Sequence, residues 1–164
     1  MHRVCVAVPI LPQQGYAQRK REKVIAMATK ATGGCACGAI RYECAGEPIG
    51  AGSCYCRDCQ RASGTHSASG MYVPASAVTI TGEPRYYAVT GESGKKISRG
   101  FCATCGSPLF FKADAFPGAI GIRPASLDDP NIFKPGVSVY TSSAPAWATF
   151  AEGVPKFPKM PPTN

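Results

Sequence analysis

The chain of 164 residues carries a formal charge of +8, with 18 Gly and 15 Pro but only 17% charged residues. That length suffices for one domain with its own core, and the Gly/Pro content favours turns and short strands over long helices. No apolar run approaches the roughly 18–20 residues that span a bilayer, so a soluble protein without membrane contact is expected.

The charge is unevenly placed. Residues 1–26 hold five Lys/Arg against one Glu, so half of the net charge lies in this leader. "VCVAVPIL" (Val4–Leu11) has the apolar texture of a signal-peptide core. It contains a Pro, lacks a small-residue cleavage site after it, and precedes the basic run Arg19–Lys23. Met27 offers a second start. Residues 1–26 are therefore read as a non-domain extension, disordered or upstream-start sequence, with the domain over 27–160 and a tail over 161–164. Basic residues without interleaved aromatics on one surface disfavour nucleic acid as a partner.

From Gly33 the texture changes to short alternating segments. "AIRYEC" (Ala39–Cys44) sets Ile40, Tyr42 and Cys44 on one side and Arg41 and Glu43 on the other, a half-buried strand. Further strands are expected around Gly70–Val73 and Ala77–Thr81. "PRYYAVTGESGKKISRGFC" reads as a hairpin turning at Glu92–Lys95. "SPLFFKAD", "GAIGIRPASL" and "VSVYTSS" (Val137–Ser143) supply more strands, and the only helix expected is a turn or two around Arg57–Ala62. The Pro-rich end, "VPKFPKMPPTN", is expected to form no regular structure. The fold class is mainly β, of short strands with little helix.

Nine cysteines lie along the chain. An odd count in C-x-C and C-x-x-C spacings fits metal sites in a reducing compartment better than a disulfide framework. Two pairs are alike, Cys35 and Cys37 before Gly38, and Cys102 and Cys105 before Gly106. Two thiolates on one zinc must converge, so the chain between them turns tightly. A following Gly at positive φ lets backbone N–H groups point back at the sulfurs. The two pairs make one shared four-thiolate structural site, in which iron is an alternative to zinc.

"CYCRDCQRASG" then holds Cys54, Cys56 and Cys59 in one loop. Three protein ligands and an exchangeable fourth position are the pattern of a catalytic zinc, and a thiophilic metal there invites a thiol substrate. Cys44 and His66 are alternative fourth ligands; the parity of Cys44 with Ile40 and Tyr42 points it to the core instead. Arg57 and Arg61, four apart, would share a helical face beside the metal, either to meet carboxylates of an acidic thiol or as surface charges offsetting the thiolates.

"GGCACGAIRYEC", "CYCRDCQRASG" and "GFCATCGSPLF" resemble the three signatures of the glutathione-dependent formaldehyde-activating enzyme family, which includes centromere protein V. "SLDDP" and "SSAPAWATFAEGVPKF" resemble its C-terminal part, so the likeness covers about residues 31–160. The resemblance implies a β-tent, sheets folded over a zinc that ties two knuckles together. It assigns Cys35, Cys37, Cys102 and Cys105 to a structural zinc and Cys54, Cys56 and Cys59 to a catalytic one, two Zn2+ per chain. It further implies a carbon–sulfur lyase joining glutathione and formaldehyde into S-hydroxymethylglutathione, or acting on a related thiol and aldehyde. Arg57, Arg61 and His66 are the candidate substrate contacts, and a cytoplasmic location is expected. The alternative is a zinc-stapled binding module of the same family without turnover.

Overall fold

A computed structural model describes residues 30–161. The extension over 1–26, the start at Met27 and Cys5 lie outside the described residues, as do residues 162–164. Two sheets make up the fold. The smaller is antiparallel, in the order β1 (Ala31–Gly34), β2 (Arg41–Cys44), β5 (Val78–Thr81). The larger has seven strands. It runs from β10 (Ser138–Val139) and β3 (Gly50–Cys54) to β4 (Ala68–Pro74), then β9 (Ala119–Ile122), β8 (Pro108–Ala113), β7 (Lys96–Phe101) and β6 (Arg85–Thr90). All its pairings are antiparallel except β10 with β3.

The core lies between the sheets. Ile40, Tyr42 and Cys44 project from the smaller sheet, with 1–2% of their surface exposed, as the alternation of that segment requires. Met71, Val73, Phe110, Ile120 and Ile122 meet them from the larger. Tyr42 packs edge-on against Phe110, 5.2 Å between ring centroids, and shares a hydrogen bond with Ser126 Oγ (2.8 Å). A buried phenol needs such a partner, because an unpaired hydroxyl would forfeit its hydration.

The β6–β7 hairpin closes as expected, through Gly91 N–H to Lys95 C=O at 3.0 Å with Gly94 at φ 73°. The one α-helix among the described residues, α1 (Arg57–Ser63), extends one residue beyond the expected turns and ends at Gly64 in the left-handed conformation. One segment is shorter as a strand than expected, and the Pro-rich end, free of helix and strand as expected, is nevertheless held in place. "VSVYTSS" is a strand only at Ser138–Val139, because Tyr140 takes φ 58° and turns the chain into a 3-10 turn over Thr141–Ser143. The Pro-rich end lies along β10, with Ser138 N–H to Pro155 C=O and Phe157 N–H to Ser138 C=O, both 2.8 Å. Its prolines hold this ladder to a single bridge at Lys156. Two further strands, β1 and β3, have Gly-rich sequences without alternation. Small residues are needed there: a Cβ on Gly52 would lie 2.5 Å from Val137 O, and one on Gly34 would lie 2.5 Å from Ile40 O.

Gly33 is the tightest of these positions, since a Cβ would lie 2.2 Å from the Tyr42 hydroxyl and 2.3 Å from Ser126 O. The Gly33→Ala variant is expected to lose about 1–3 kcal/mol of stability, the usual cost of overpacking, measured as a lower urea midpoint at unchanged slope.

Candidate metal centres

The described cysteines are all free, and seven of the eight sulfurs gather into two clusters. Cys35, Cys37, Cys102 and Cys105 form the first, with every sulfur within 4.8 Å of the others. The chain leaves β1 at Cys35 and doubles back, Cys35 N–H bonding Ile40 C=O at 3.0 Å with Gly38 at φ 78°. It leaves β7 at Cys102 in the same way, with Gly106 N–H on Cys102 C=O at 2.8 Å and φ 75°. These knuckles belong to different sheets, and the cluster joins them. Ser107 reinforces the joint: its hydroxyl accepts from Ala36 N–H at 3.1 Å and lies 3.2 Å from the Cys105 sulfur.

Four sulfurs held tetrahedrally at ~2.3 Å from a zinc ion lie roughly 3.8 Å apart. Cys35–Cys37 and Cys37–Cys102 are 3.5 and 3.8 Å apart, so the donor set and its spacing fit. Backbone and hydroxyl donors already favour thiolate here. Ile40 N–H reaches Cys35 Sγ at 3.2 Å, and the Ser107 hydroxyl, followed by backbone N–H groups, brings Cys105 down to about 5. Ala39 N–H pulls Cys37 down, but its hydrogen bonds to Cys35 and Cys105 outweigh this and leave it at about 11.

Cys54, Cys56 and Cys59 form the second cluster, again within 4.8 Å of one another. Cys54 ends β3, where it pairs with Ala68 of β4 and Val139 of β10. Cys56 is the N-cap of α1, accepting Cys59 N–H on its sulfur at 3.4 Å. Cys59 sits in the helix's first turn, facing inward beside Gln60, whose amide anchors the helix to Tyr55 O (2.6 Å) and Ser143 O (2.9 Å). Three soft donors on one side of a short loop can hold a thiophilic metal and leave a coordination position for another ligand. Hydrogen bonds from Cys54 and Cys59, with N–H groups of Cys59 and Asp58, hold Cys56 far below the ordinary thiol range. Cys54 is pushed far up by those same bonds and by burial. Cys59 is also raised: its bond to Cys54 acts downward, but Cys56 and burial outweigh it.

Cys44 is in neither cluster; its sulfur, 1% exposed, turns to the core and donates to Gly46 O at 3.5 Å. His66 is in neither as well. Its ring lies 5.7 Å from that of Tyr55 and 5.5 Å from that of Trp147. Arg57 hydrogen-bonds Gln60 Oε1, and Arg61, 71% exposed, sits 3.9 Å from Asp58 on the outer face of α1. A buried cation that feels the second cluster was not singled out from the sequence. Arg123 follows β9; burial lowers its pKa, and the nearby Cys59 opposes that shift. "GIRPAS" offered only an Arg at the end of an apolar strand as a signal.

A family model described as glutathione-dependent formaldehyde-activating enzyme matches residues 30–143. The chain belongs to that family. Its match spans both cysteine clusters and ends before "APAWATFAEGVPKF". Among solved structures, a crystal structure of a Rhodobacter sphaeroides protein is 23% identical, covering 76% of this chain and 98% of that one, with a TM-score of 0.48. No helix among the described residues of this family member is long and apolar enough to cross a membrane.

The clusters generate separable expectations. Cys105→Ser should impair folding, because a structural metal contributes its binding energy to stability. Cys56→Ser should fold and carry one metal ion fewer, read by mass spectrometry of the native protein. At the three-cysteine cluster the raised thiols of Cys54 and Cys59 must lose protons to become ligands, so loading an ion should release protons. Its affinity should therefore rise with pH and fall on acidification; competition with a chelator across pH 6–8 measures the slope.

Proposed function

We propose that this protein is a zinc-dependent carbon–sulfur lyase-type enzyme that combines a thiol with an aldehyde, glutathione and formaldehyde being the leading pair. The observation that carries this reading is the second cluster. Its three sulfurs come from six consecutive residues where β3 runs into α1, no fourth cysteine among the described residues approaches it, and the first cluster already supplies a complete four-sulfur set.

A zinc ion on Cys54, Cys56 and Cys59 would lower the pKa of a substrate thiol and keep it as thiolate. The chain's part is to hold that donor set. β3 fixes Cys54, the helix cap fixes Cys56, and the Gln60 anchor fixes the turn that carries Cys59. In the reaction the thiol gives up its proton and its sulfur bonds the aldehyde carbon. The carbonyl electron pair moves to oxygen, which takes up a proton, leaving a hemithioacetal with no redox change. Arg123 places positive charge beside the sulfurs, where it offsets the negative charge of the thiolates. The free thiols of the described residues favour a reducing compartment, and the cytoplasm is the location we propose.

The zinc-loaded protein should consume formaldehyde faster with glutathione than the enzyme-free mixture does, and Cys56→Ser should fall to that background. Two zinc ions per chain with no acceleration by wild type would sink the lyase reading and favour a non-catalytic module.

A further inference from the structure

The larger sheet has a second face, and its residues follow from the register. Tyr72 pairs with Gly121, Gly121 with Phe111, Phe111 with Arg99 and Arg99 with Tyr87, so these side-chain positions form one row across five strands. Met71, Ile122 and Phe110, one residue off in each strand, face the core instead. Cys54 and Ala68 lie on the same face as this row, two rows along from Gly50 and Tyr72. The face is paved with glycine at its centre: a Cβ on Gly121 would lie 2.1 Å from the Phe111 ring, and one on Gly70 2.4 Å. Phe111 therefore lies flat on the sheet, and the Arg123 guanidinium sits over its ring at 4.5 Å while donating to Ser69 O at 2.9 Å.

Two arginines thus flank one ring. Arg99 stands opposite Phe111 in the register, and its charge acts on Arg123. No ion pair among the described residues involves either of them. The Arg99 Nε is fully buried and has no hydrogen-bond partner, an unusual cost for a guanidinium. Two like charges beside one aromatic ring, one with an orphaned donor and neither paired with a carboxylate among the described residues, are arranged to accept a carboxylate from a ligand.

We propose that Arg99 and Arg123 form a carboxylate-binding subsite that grips the acid end of the thiol whose sulfur meets Cys54, Cys56 and Cys59. The proposal rests on the reading of that cluster as a thiol site. Continuing the β4–β9 register sets Arg123 opposite Gly70, two residues, or about 7 Å, along β4 from Ala68, the partner of Cys54. With the two strand spacings of about 4.8 Å between β3 and β9 added across the sheet, that offset is bridged by an extended thiol acid together with the reach of the arginine side chains. The exposed arginines of α1 already have Gln60 and Asp58 as partners.

The test is calorimetric binding to the zinc-loaded protein of glutathione against its diethyl ester, and of 3-mercaptopropionate against its methyl ester. Each acid should bind about tenfold or more tightly than its ester, the discrimination expected of a charge-assisted hydrogen bond. Arg99→Gln should erase that preference while ester binding and metal content stay as in wild type; Arg123→Lys should reduce it. Equal affinity of wild type for acid and ester overturns the proposal, as does an Arg99→Gln protein that keeps the preference. Formaldehyde consumption measured in parallel reports on the lyase reading alone. Acid preference without consumption would leave the subsite standing and the lyase reading refuted, and consumption without acid preference would do the reverse.

Discussion

Four sulfurs within 4.8 Å of one another, drawn from the ends of strands in two different sheets, are the constraint on which the fold depends. Two thiolates about 4 Å apart repel by roughly 4 kcal/mol at an effective dielectric constant near 20. Four of them hold together only with a cation among them or with most of their protons retained. The knuckle geometry prepares for the cation, because backbone N–H groups and the Ser107 hydroxyl already point at sulfur. Closing this site brings β1 to the β7–β8 connection, and the shared core of Tyr42, Phe110 and Ile122 is buried between the sheets so joined.

The larger sheet then has two unlike faces. The inner one is filled by branched and aromatic side chains that meet the smaller sheet. The outer one replaces them with Gly70 and Gly121, so that a single flat ring can lie against the backbone and present a charged surface. Glycine is a poor strand former, and its use at the sheet's centre is explained by what lies on top of it. The three-cysteine cluster is at the edge of the same face, where β3 runs into α1.

Much of this was legible from residue pattern. Period-two alternation located β2 and the β6–β7 hairpin, and Cys-Gly spacing located both knuckles, because each signal is local. β1 and β3 escaped for a physical reason: their "ATGG" and "GAGSC" sequences answer to close approach by Ser126, Ile40 and Val137, which lie far away in sequence or across a turn. The end of β10 escaped because Tyr140 adopts φ 58° without being glycine. At the site, the cysteines were readable while the arginines were not. Arg57 and Arg61 stood out by adjacency, but adjacency on a helix does not say which way the helix faces. Arg99 and Arg123 are 24 positions apart and meet only through the pairing of β7, β8 and β9.

The two clusters also differ in how much chain they enclose. The first bridges Cys37 and Cys102 across 65 positions, whereas Cys54 and Cys59 are separated by five. Loop-closure entropy grows with the logarithm of length, so closing the larger loop costs about 2 kcal/mol more. An unfolded chain can gather the local triplet at little entropic expense, but it can gather the tetrad only by folding most of itself. Residues 54–59 also leave the ribosome well before residue 105. The triplet is therefore the first thiol cluster to be complete during synthesis, and the tetrad is the one that comes together only in the folded chain.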